Sequence, residues 1–212
     1  MLRVYKRQLI RSGVTSSLLP ALSLTFSLVA SASETEWSLE KEGERIQCYT
    51  SPVMGSPFLA VKVTALVNAP IEKVTKSLGT GDACSEWQAM CKSSKVLSTV
   101  SDTERYVYTV LDLPWPLSDR DMVVHSIVHI DPEAKTVTVK LESASARHPE
   151  QNYVRAESNG QYRLRLINDQ QVEFTYVMHT DLGGDLSPDL INPRVSDSTY
   201  EDVRRLQVLA EK

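Results

Sequence analysis

The chain has 212 residues, with 27 acidic and 23 basic side chains and a formal net charge of −4. This length is enough to bury a sizeable core, and no linker-like or low-complexity run divides the sequence, so we expect one folded domain. The acidic excess argues against nucleic acid as a partner, because binding a polyanion requires a basic surface.

Residues 1–32 have the three parts of a secretory signal. Four basic residues and no acid fall within the first 11 positions, a largely apolar run extends from Val14 to Ala30, and Ala30-Ser31-Ala32 fits a small-x-small cleavage site. The apolar run is shorter than the ~20 residues of a membrane-spanning helix. We predict cleavage after Ala32 and a folded domain over 33–212, periplasmic or secreted; the alternative is an uncleaved amphipathic anchor.

Removal of residues 1–32 makes the remaining domain more acidic. It would keep 19 basic and 27 acidic side chains, a net charge of −8. This charge also argues against an anionic membrane surface as the main partner, although transient membrane contact remains compatible with it.

The three cysteines are Cys48, Cys84 and Cys91. In a continuous helix, Cys84 and Cys91 would lie ~10 Å apart, too far for a disulfide, whereas a turn after Trp87 would let them meet. Because export places thiols in an oxidising compartment, we predict a Cys84–Cys91 disulfide and a buried, free Cys48. No histidine lies at zinc-ligand spacing from these cysteines, and no metal site is predicted.

Most of the domain has the alternating pattern of an antiparallel sheet with one apolar and one polar face. The predicted strands are Trp37–Leu39, Arg45–Pro52, Phe58–Val67, Lys95–Val100, Arg105–Asp112, Asp121–Ile130, Thr136–Ser143, Gln161–Ile167 and Val172–Thr180. The segment Ala144–Asn159 is predicted to be a loop over an opening.

Helical patterns occur in two places. Asn68 is the predicted cap of a helix with Pro70 in its first turn, and a second short helix or turn over Asp82–Met90 carries Trp87. The final helix is predicted to start with Ser187 as its cap and Pro188 as its first residue, and to kink near Pro193. Its later part has an apolar stripe at helical spacing.

These elements predict an α+β fold in which a curved antiparallel sheet wraps around a long C-terminal helix. The space between sheet and helix is either filled by side chains or left as a cavity for a hydrophobic ligand. The side chains predicted to face this space, and to bind a ligand there, are Val137, Val139, Leu141, Leu164, Phe174, Tyr176, Met178, Ile191, Val195, Tyr200 and Val203.

The segment Leu113–Asp121 connects two predicted strands. Two prolines flank Trp115, so the segment cannot be helical and is expected to form a rigid, extended corner. Arg120 and Asp121 then open the next strand, where an arginine needs a carboxylate or carbonyl partner.

Four blocks, in the same order, resemble START (steroidogenic acute regulatory protein-related lipid transfer) domains. Pro116–Asp121 resembles the P-x-S-x-R-D signature, and Cys84–Trp87 resembles a helix that ends in Trp. Val154-Arg155-Ala156 and Gly183–Asn192 resemble two later blocks, the second of which leads into the last helix. The residues that carry the motif are Trp87, Trp115, Pro116, Arg120, Asp121, Arg155, Gly184 and Asn192.

This resemblance implies a helix-grip fold, of the START/Bet v 1-like type, with a deep apolar tunnel that holds one lipid or sterol-like molecule. Some sterol-binding members of the family have an arginine in the strand after the R-D pair, and this chain departs from them because the corresponding position resembles Ser126. No headgroup contact is therefore carried over from those relatives.

The leading interpretation is a non-enzymatic, exported lipid carrier whose final helix or Ala144–Asn159 loop opens the tunnel. One alternative is a cyclase- or hydrolase-like enzyme that uses His125, His129, His148 or His179. A second alternative is a ligand-sensing envelope module. The sequence has no nucleophile elbow, metal-binding motif or phosphate loop, and no cofactor is predicted.

Overall fold

A computed structural model describes residues 36–79 and 83–212. They form a curved ten-stranded sheet. Nine strands follow the order β1-β2-β3-β10-β9-β7-β6-β5-β4, and all neighbours in this order are antiparallel. The tenth strand, the two-residue β8, pairs in parallel with β6. The strands are β1 (Ser38–Gly43), β2 (Ile46–Ser51), β3 (Ala60–Val67), β4 (Cys91–Ser101), β5 (Glu104–Leu111), β6 (Arg120–Asp131), β7 (Thr136–Ser143), β8 (Val154–Arg155), β9 (Glu157–Asn168) and β10 (Gln171–Asp181). The helices are α1 (Ile71–Leu78), α2 (Cys84–Trp87) and α3 (Pro188–Glu211), with a single 3-10 turn at Ser145–Arg147.

The α+β class and the wrapped C-terminal helix are confirmed. All nine predicted strands are present; β7 has the predicted bounds, while β4 and β9 each begin four residues earlier than predicted, at Cys91 and Glu157. Both early starts lie in polar or glycine-containing sequence, where hydrogen bonding to a neighbouring strand prevails over weak local propensity. The predicted signal peptide and its cleavage site lie outside the described residues.

Helix α1 begins after Pro70, so the prediction of Asn68 as its cap is wrong. The Asn68 side chain instead accepts a hydrogen bond from Gln171 Nε2 (2.9 Å). Ser187 and Pro188 occupy the predicted cap and first-residue positions of α3, although the Ser187 side chain makes no capping hydrogen bond. The helix continues through Pro193 to Glu211.

The second half of α3 packs directly on the sheet. Its buried side chains are Tyr200, Val203, Leu206, Gln207 and Ala210. The four other than Gln207 join a core cluster with inward-facing residues of β2, β3, β9 and β10 and with Val74 of α1. Among the described residues, no helix combines the length and apolarity needed to cross a bilayer.

The Ala144–Asn159 segment is not the single loop expected from the sequence. It contains the 3-10 turn, then β8, and finally the first residues of β9. The Ala156 amide donates to the Asp121 carbonyl (2.8 Å), which continues the attachment of β8 to β6. The segment is therefore held on the edge of β6 and is not positioned as a flap.

Candidate functional site

A large apolar cavity lies between the inner face of the sheet and the first half of α3. Its volume is about 1090 Å³, just above the roughly 300–1,000 Å³ typical of small-molecule sites. Most of its wall is aliphatic or aromatic. The strand residues on the wall belong to β3–β7, β9 and β10, so the cavity extends across most of the sheet.

Seven of the eleven predicted ligand-binding residues line this cavity: Val137, Val139, Leu141, Tyr176, Met178, Ile191 and Val195. Three of them alternate along β7, two alternate along β10, and two lie in the first half of α3. Their contact with a ligand remains a prediction, but their common location follows from strand alternation and helical spacing.

The structure places the other four predicted residues in the packed core, not on the cavity wall. Leu164 and Phe174 are opposite each other on β9 and β10, and both are fully buried. Tyr200 and Val203 lie where the second half of α3 contacts the sheet. Because helix and sheet touch there, these side chains fill the space themselves.

Sequence reasoning missed part of the wall on β5 and β6. Met122, Val124, Ser126 and Val128 alternate along β6 and face the cavity. The alternation that placed them on one strand face was visible in the sequence. The missing information was which face of β6 points inward, because valines also occur on its other face.

Trp115 marks the opening of the cavity. It belongs to the cavity lining, yet 92% of its surface is exposed. Pro114, Pro116 and Leu117 from the same corner also line the cavity, and Leu190 contributes from the start of α3. Residues that are both exposed and cavity-lining define a mouth between the proline corner and the α3 N-terminus.

Asn192 fastens one side of this mouth. Its Nδ2 donates to the Pro57 carbonyl (3.0 Å), and its Oδ1 accepts from the Leu59 amide (3.1 Å). Leu59 and the neighbouring Phe58 line the cavity. Asn192 therefore ties α3 to the loop before β3, across a boundary that must open if a large ligand is to enter there.

Arg120, Asp121 and Arg155 form a buried polar group. Arg155 binds Asp121 in bidentate fashion, through Nε to Oδ1 (2.7 Å) and Nη2 to Oδ2 (3.1 Å), and the Tyr108 hydroxyl donates to the same carboxylate (3.1 Å). Arg120 Nε donates to the Leu182 carbonyl (3.0 Å), and its Nη1 donates to the Ser118 carbonyl. None of these three motif residues lines the cavity, and their contacts join β6 to β8 and the mouth segments.

The backbone at Gly183 and Gly184 packs closely against the segment that holds the Arg120, Asp121 and Arg155 group. Both glycines have positive φ, 65° and 67°, which favours residues without a Cβ. A Cβ on Gly183 would also collide with the Arg155 carbonyl oxygen. The motif glycines therefore allow the chain to pass close to β8 before α3 begins.

Trp87 lies on the cavity wall next to a disulfide. Cys84 and Cys91 form the predicted bridge, with Cα atoms 5.9 Å apart, because the chain turns after Trp87 and passes directly into β4. Both bridged cysteines also line the cavity. Cys48 is buried and free, as predicted, and burial raises the pKa of its thiol to about 11.

Asp202 is the one carboxylate on the cavity wall among the described residues. Burial raises its pKa to about 6, although the Ala89 amide donates to Oδ1 (2.9 Å) and thereby opposes the shift. Asp202 thus connects α3 to the segment that follows Trp87.

The four histidines do not form a catalytic group at the cavity. None of them belongs to its lining. His125 contacts Glu104 Oε1 (2.7 Å) and stacks on Tyr106, and His179 hydrogen-bonds with Ser56 Oγ (2.9 Å). Within residues 36–79 and 83–212, no group of three or more His, Cys, Asp or Glu side chains could hold a metal ion.

Comparison with known proteins agrees with this architecture. A STAR-related lipid transfer protein from Xanthomonas axonopodis has a TM-score of 0.75 and 29% identity, covering 83% of this chain and 99% of that one. Human StAR-related lipid transfer protein 5 shares the fold at 18% identity, with a TM-score of 0.75, over 82% of this chain and 86% of its own. The Pseudomonas aeruginosa protein PA1579 is 25% identical over 189 residues, which is 88% of this chain and 93% of the relative.

The START domain family model matches residues 21–210, nearly the whole chain. The bacterial and human lipid transfer proteins share the overall fold of this chain. The chain belongs to the START domain family, and its fold is the helix-grip fold.

Proposed function

We propose that the protein is an exported carrier that binds one lipid or other hydrophobic molecule in the cavity between the sheet and α3. The observation that carries this proposal is the cavity itself, about 1090 Å³ in volume and mainly apolar. The START family and the lipid transfer proteins with the same fold support it.

The apolar wall can supply the binding free energy without a headgroup ion pair. Each methylene moved from water into an apolar site contributes ~0.8 kcal/mol, so an acyl chain or sterol body gains several kcal/mol. Ser126 of β6 is buried on the cavity wall, where its side chain offers a hydroxyl group and no charge.

The mouth suggests how the carrier meets a membrane. Trp115 and Leu190 expose apolar surface at the mouth, and Met54 is fully exposed in the loop fastened by Asn192. Tryptophan favours the bilayer interface, because its ring is apolar and its N–H remains hydrated. We propose that this rim touches a membrane transiently while a ligand passes through the mouth.

A non-enzymatic role is supported by the chemistry of the wall. No histidine or free cysteine lines the cavity, so Asp202, the one carboxylate on the described wall, has no imidazole or free thiol there with which to form a catalytic pair. A cyclase or hydrolase would need such a pair close to its substrate.

Native mass spectrometry of the protein purified from its own cell envelope tests ligand binding. We expect a co-purifying hydrophobic molecule and movement of fluorescent lipid between vesicles, with the transfer rate reduced by Trp115→Ala but not by the control Trp37→Ala. Protein that is always empty, and that neither binds nor moves fluorescent lipid, would contradict the proposal.

Export has a separate test. Intact mass and N-terminal sequencing of the envelope fraction should give a chain beginning at Ser33. A full-length chain retained in the cytosol would contradict export while leaving ligand binding to be judged by the first experiment.

A further inference from the structure

Two buried polar atoms on the described cavity wall stand out from the rest of the molecule. Trp87 Nε1 and Ser94 Oγ are the two side-chain polar atoms, among the described residues, that are buried without a hydrogen-bond partner. Both residues line the cavity. Since a buried donor without an acceptor costs roughly 1–3 kcal/mol, such atoms are rare and need an explanation.

Trp87 cannot easily turn to find an acceptor within the protein. Only 2% of its surface is exposed, and its ring meets Tyr162 and Tyr176 edge-on, with centroid distances of 6.1 and 6.4 Å. The Cys84–Cys91 disulfide and the hydrogen bond from the Ala89 amide to Asp202 fix the chain on either side of it. Aromatic faces are weaker acceptors than oxygen, so these neighbours do not replace one.

Ser94 lies on the adjoining strand. It follows the bridged Cys91 by three residues on β4 and is opposite Thr109 of β5, whose side chain is also buried on the cavity wall. The disulfide joins β4 to α2, so Trp87 and Ser94 belong to one part of the wall. That part offers an indole donor, which cannot accept, and a hydroxyl, which can do both.

The surroundings favour an uncharged partner for these atoms. Burial raises the pKa of both Tyr162 and Tyr176, and the carboxylate of Asp202 lies close enough to Tyr176 to raise its pKa further. Arg105 is the one basic side chain that a strand contributes to the described wall, and it lies four residues along β5 from Thr109, ~13 Å away along the backbone. Lys76 and Arg194, the other bases on the described wall, are exposed. An anionic group beside Trp87 would thus lose its hydration without gaining a counter-ion.

We infer that this part of the wall recognises an uncharged hydroxyl or carbonyl oxygen of the bound lipid, with Trp87 Nε1 as the donor and Ser94 Oγ as a second hydrogen-bonding group. The inference rests on the proposed function and adds the chemical class of the ligand: a neutral lipid with a hydrogen-bonding oxygen, in preference to a hydrocarbon or a carboxylate. Trp87 is then a specificity-determining residue.

Displacement of the fluorescent, uncharged probe N-phenylnaphthylamine separates the inference from the proposed function. Tetradecane, tetradecanol and tetradecanoate, which have equal chain lengths, are titrated against the probe-loaded protein. We expect tetradecanol to bind about five-fold more tightly than tetradecane, the worth of one neutral hydrogen bond, and more tightly than tetradecanoate. Trp87→Phe should abolish the preference over tetradecane, Ser94→Ala should weaken it, and the control Trp37→Phe should preserve it.

The outcomes are distinct. If the protein binds the probe but ranks tetradecane equal to tetradecanol, or if Trp87→Phe keeps the preference, the inference fails and the carrier proposal stands. A preference for tetradecanoate also overturns the inference. If neither probe nor lipid binds, both proposals fail.

A measurement on the unmutated protein covers the case in which Trp87→Phe does not fold. The three indole N–H signals can be assigned in ¹⁵N-tryptophan-labelled protein with Trp37→Phe and Trp115→Phe. We expect tetradecanol, but not tetradecane, to move the Trp87 proton downfield, as hydrogen bonding to oxygen does. Equal shifts with both ligands would contradict the inference.

Discussion

Asp121 is a fully buried carboxylate whose charge is balanced within the fold. Arg155 approaches it with two hydrogen bonds and Tyr108 adds a third. Burial, followed by that hydrogen bond, raises the pKa of the Tyr108 hydroxyl to about 12, which keeps it protonated as a donor. This group holds β8 against β6, so part of the family motif has a structural role next to the mouth.

Arg155→Ala should be strongly destabilising because it leaves the buried Asp121 carboxylate without its arginine partner. We expect a loss of about 3–5 kcal/mol in the free energy of unfolding, measured by urea denaturation. The control is Arg165→Ala, which removes an ion pair with Glu173 (2.8 Å) on a side chain that is 43% exposed; it should cost less than about 1 kcal/mol. Equal losses for the two variants would contradict a structural role for the buried pair.

Asp202 gives the domain a pH dependence of opposite sign to that of a salt-bridged acid. Its pKa in the folded state is raised from 3.8 to about 6, so the folded protein holds this proton more tightly than the unfolded chain. Stability should therefore fall as pH rises from about 4 to about 6, with this loss complete above that range.

Asp202→Asn should remove this decline, because the amide oxygen still accepts from Ala89 and does not ionise. Thermal unfolding midpoints between pH 4 and 7 should show the variant gaining on the wild-type protein as pH rises. Asp185→Asn, at an exposed loop position, controls for the loss of one negative charge. A wild-type-minus-variant difference that is constant with pH would show that the Asp202 pKa is not raised.

At the level of single residues, alternation predicted which side chains share a face but not where helix and sheet touch. Val137 and Val139 face the cavity, whereas Leu164, directly opposite Val137 in the sheet, is packed in the core. The difference depends on how far α3 stands from each strand. No local pattern encodes that distance, because it follows from packing against α1 and β3.

The α2–β4 connection illustrates how a short element can be fixed by a covalent bond. α2 has four residues, too few for a stable helix in isolation. The disulfide closes a small loop around Trp87 and joins α2 to the edge strand β4. The disulfide therefore helps to fix the position of the Trp87 indole on the cavity wall.

Replacing Cys84 and Cys91 together with serine should destabilise the domain by about 2–3 kcal/mol, the loop-entropy estimate for a bridge of this span. Alkylation and intact mass should detect one thiol in the denatured, unreduced protein and three after reduction. Three thiols without reductant would show that the bridge does not form.

Asn192 is expected to control passage through the mouth. Asn192→Ala removes two hydrogen bonds to the loop before β3, each worth about 1 kcal/mol, so opening should become about 30-fold more frequent. Stopped-flow release of bound N-phenylnaphthylamine should be faster by a similar factor. The control Asn159→Ala removes a hydrogen bond to the Ser143 amide (2.9 Å) away from the mouth; an equal acceleration there would contradict the assignment of the gate.

The strands with clear alternation and the last helix could be predicted from sequence. Alternating hydrophobicity and the helix-start signal Ser187-Pro188 are both properties of a short stretch of sequence. The elements that could not be predicted depend on distant partners. β8 has only two residues, and it forms because it pairs with β6. Asn68 does not cap α1, since its side chain accepts a hydrogen bond from Gln171 on β10. The use of Arg155 as the partner of Asp121 likewise required the parallel pairing of these strands.

For the molecule as a whole, one feature of the packing underlies the proposed function. The second half of α3 is buried against the sheet, while the first half stands away from it and leaves the cavity. The packed half supplies stability and the open half supplies room for a ligand. The sequence predicted a sheet wrapped around the last helix, but it left open whether side chains fill the space between them.

Filling the cavity from its wall tests the central claim most directly. Val139→Trp places a large ring into the cavity, whereas Thr138→Trp places the same ring on the opposite face of β7. Native mass spectrometry of both variants, purified from the cell envelope and checked for cooperative unfolding, measures the fraction that carries a hydrophobic ligand. We predict that Val139→Trp loses most of its ligand and Thr138→Trp keeps it. Undiminished ligand in folded Val139→Trp would contradict binding between the sheet and α3.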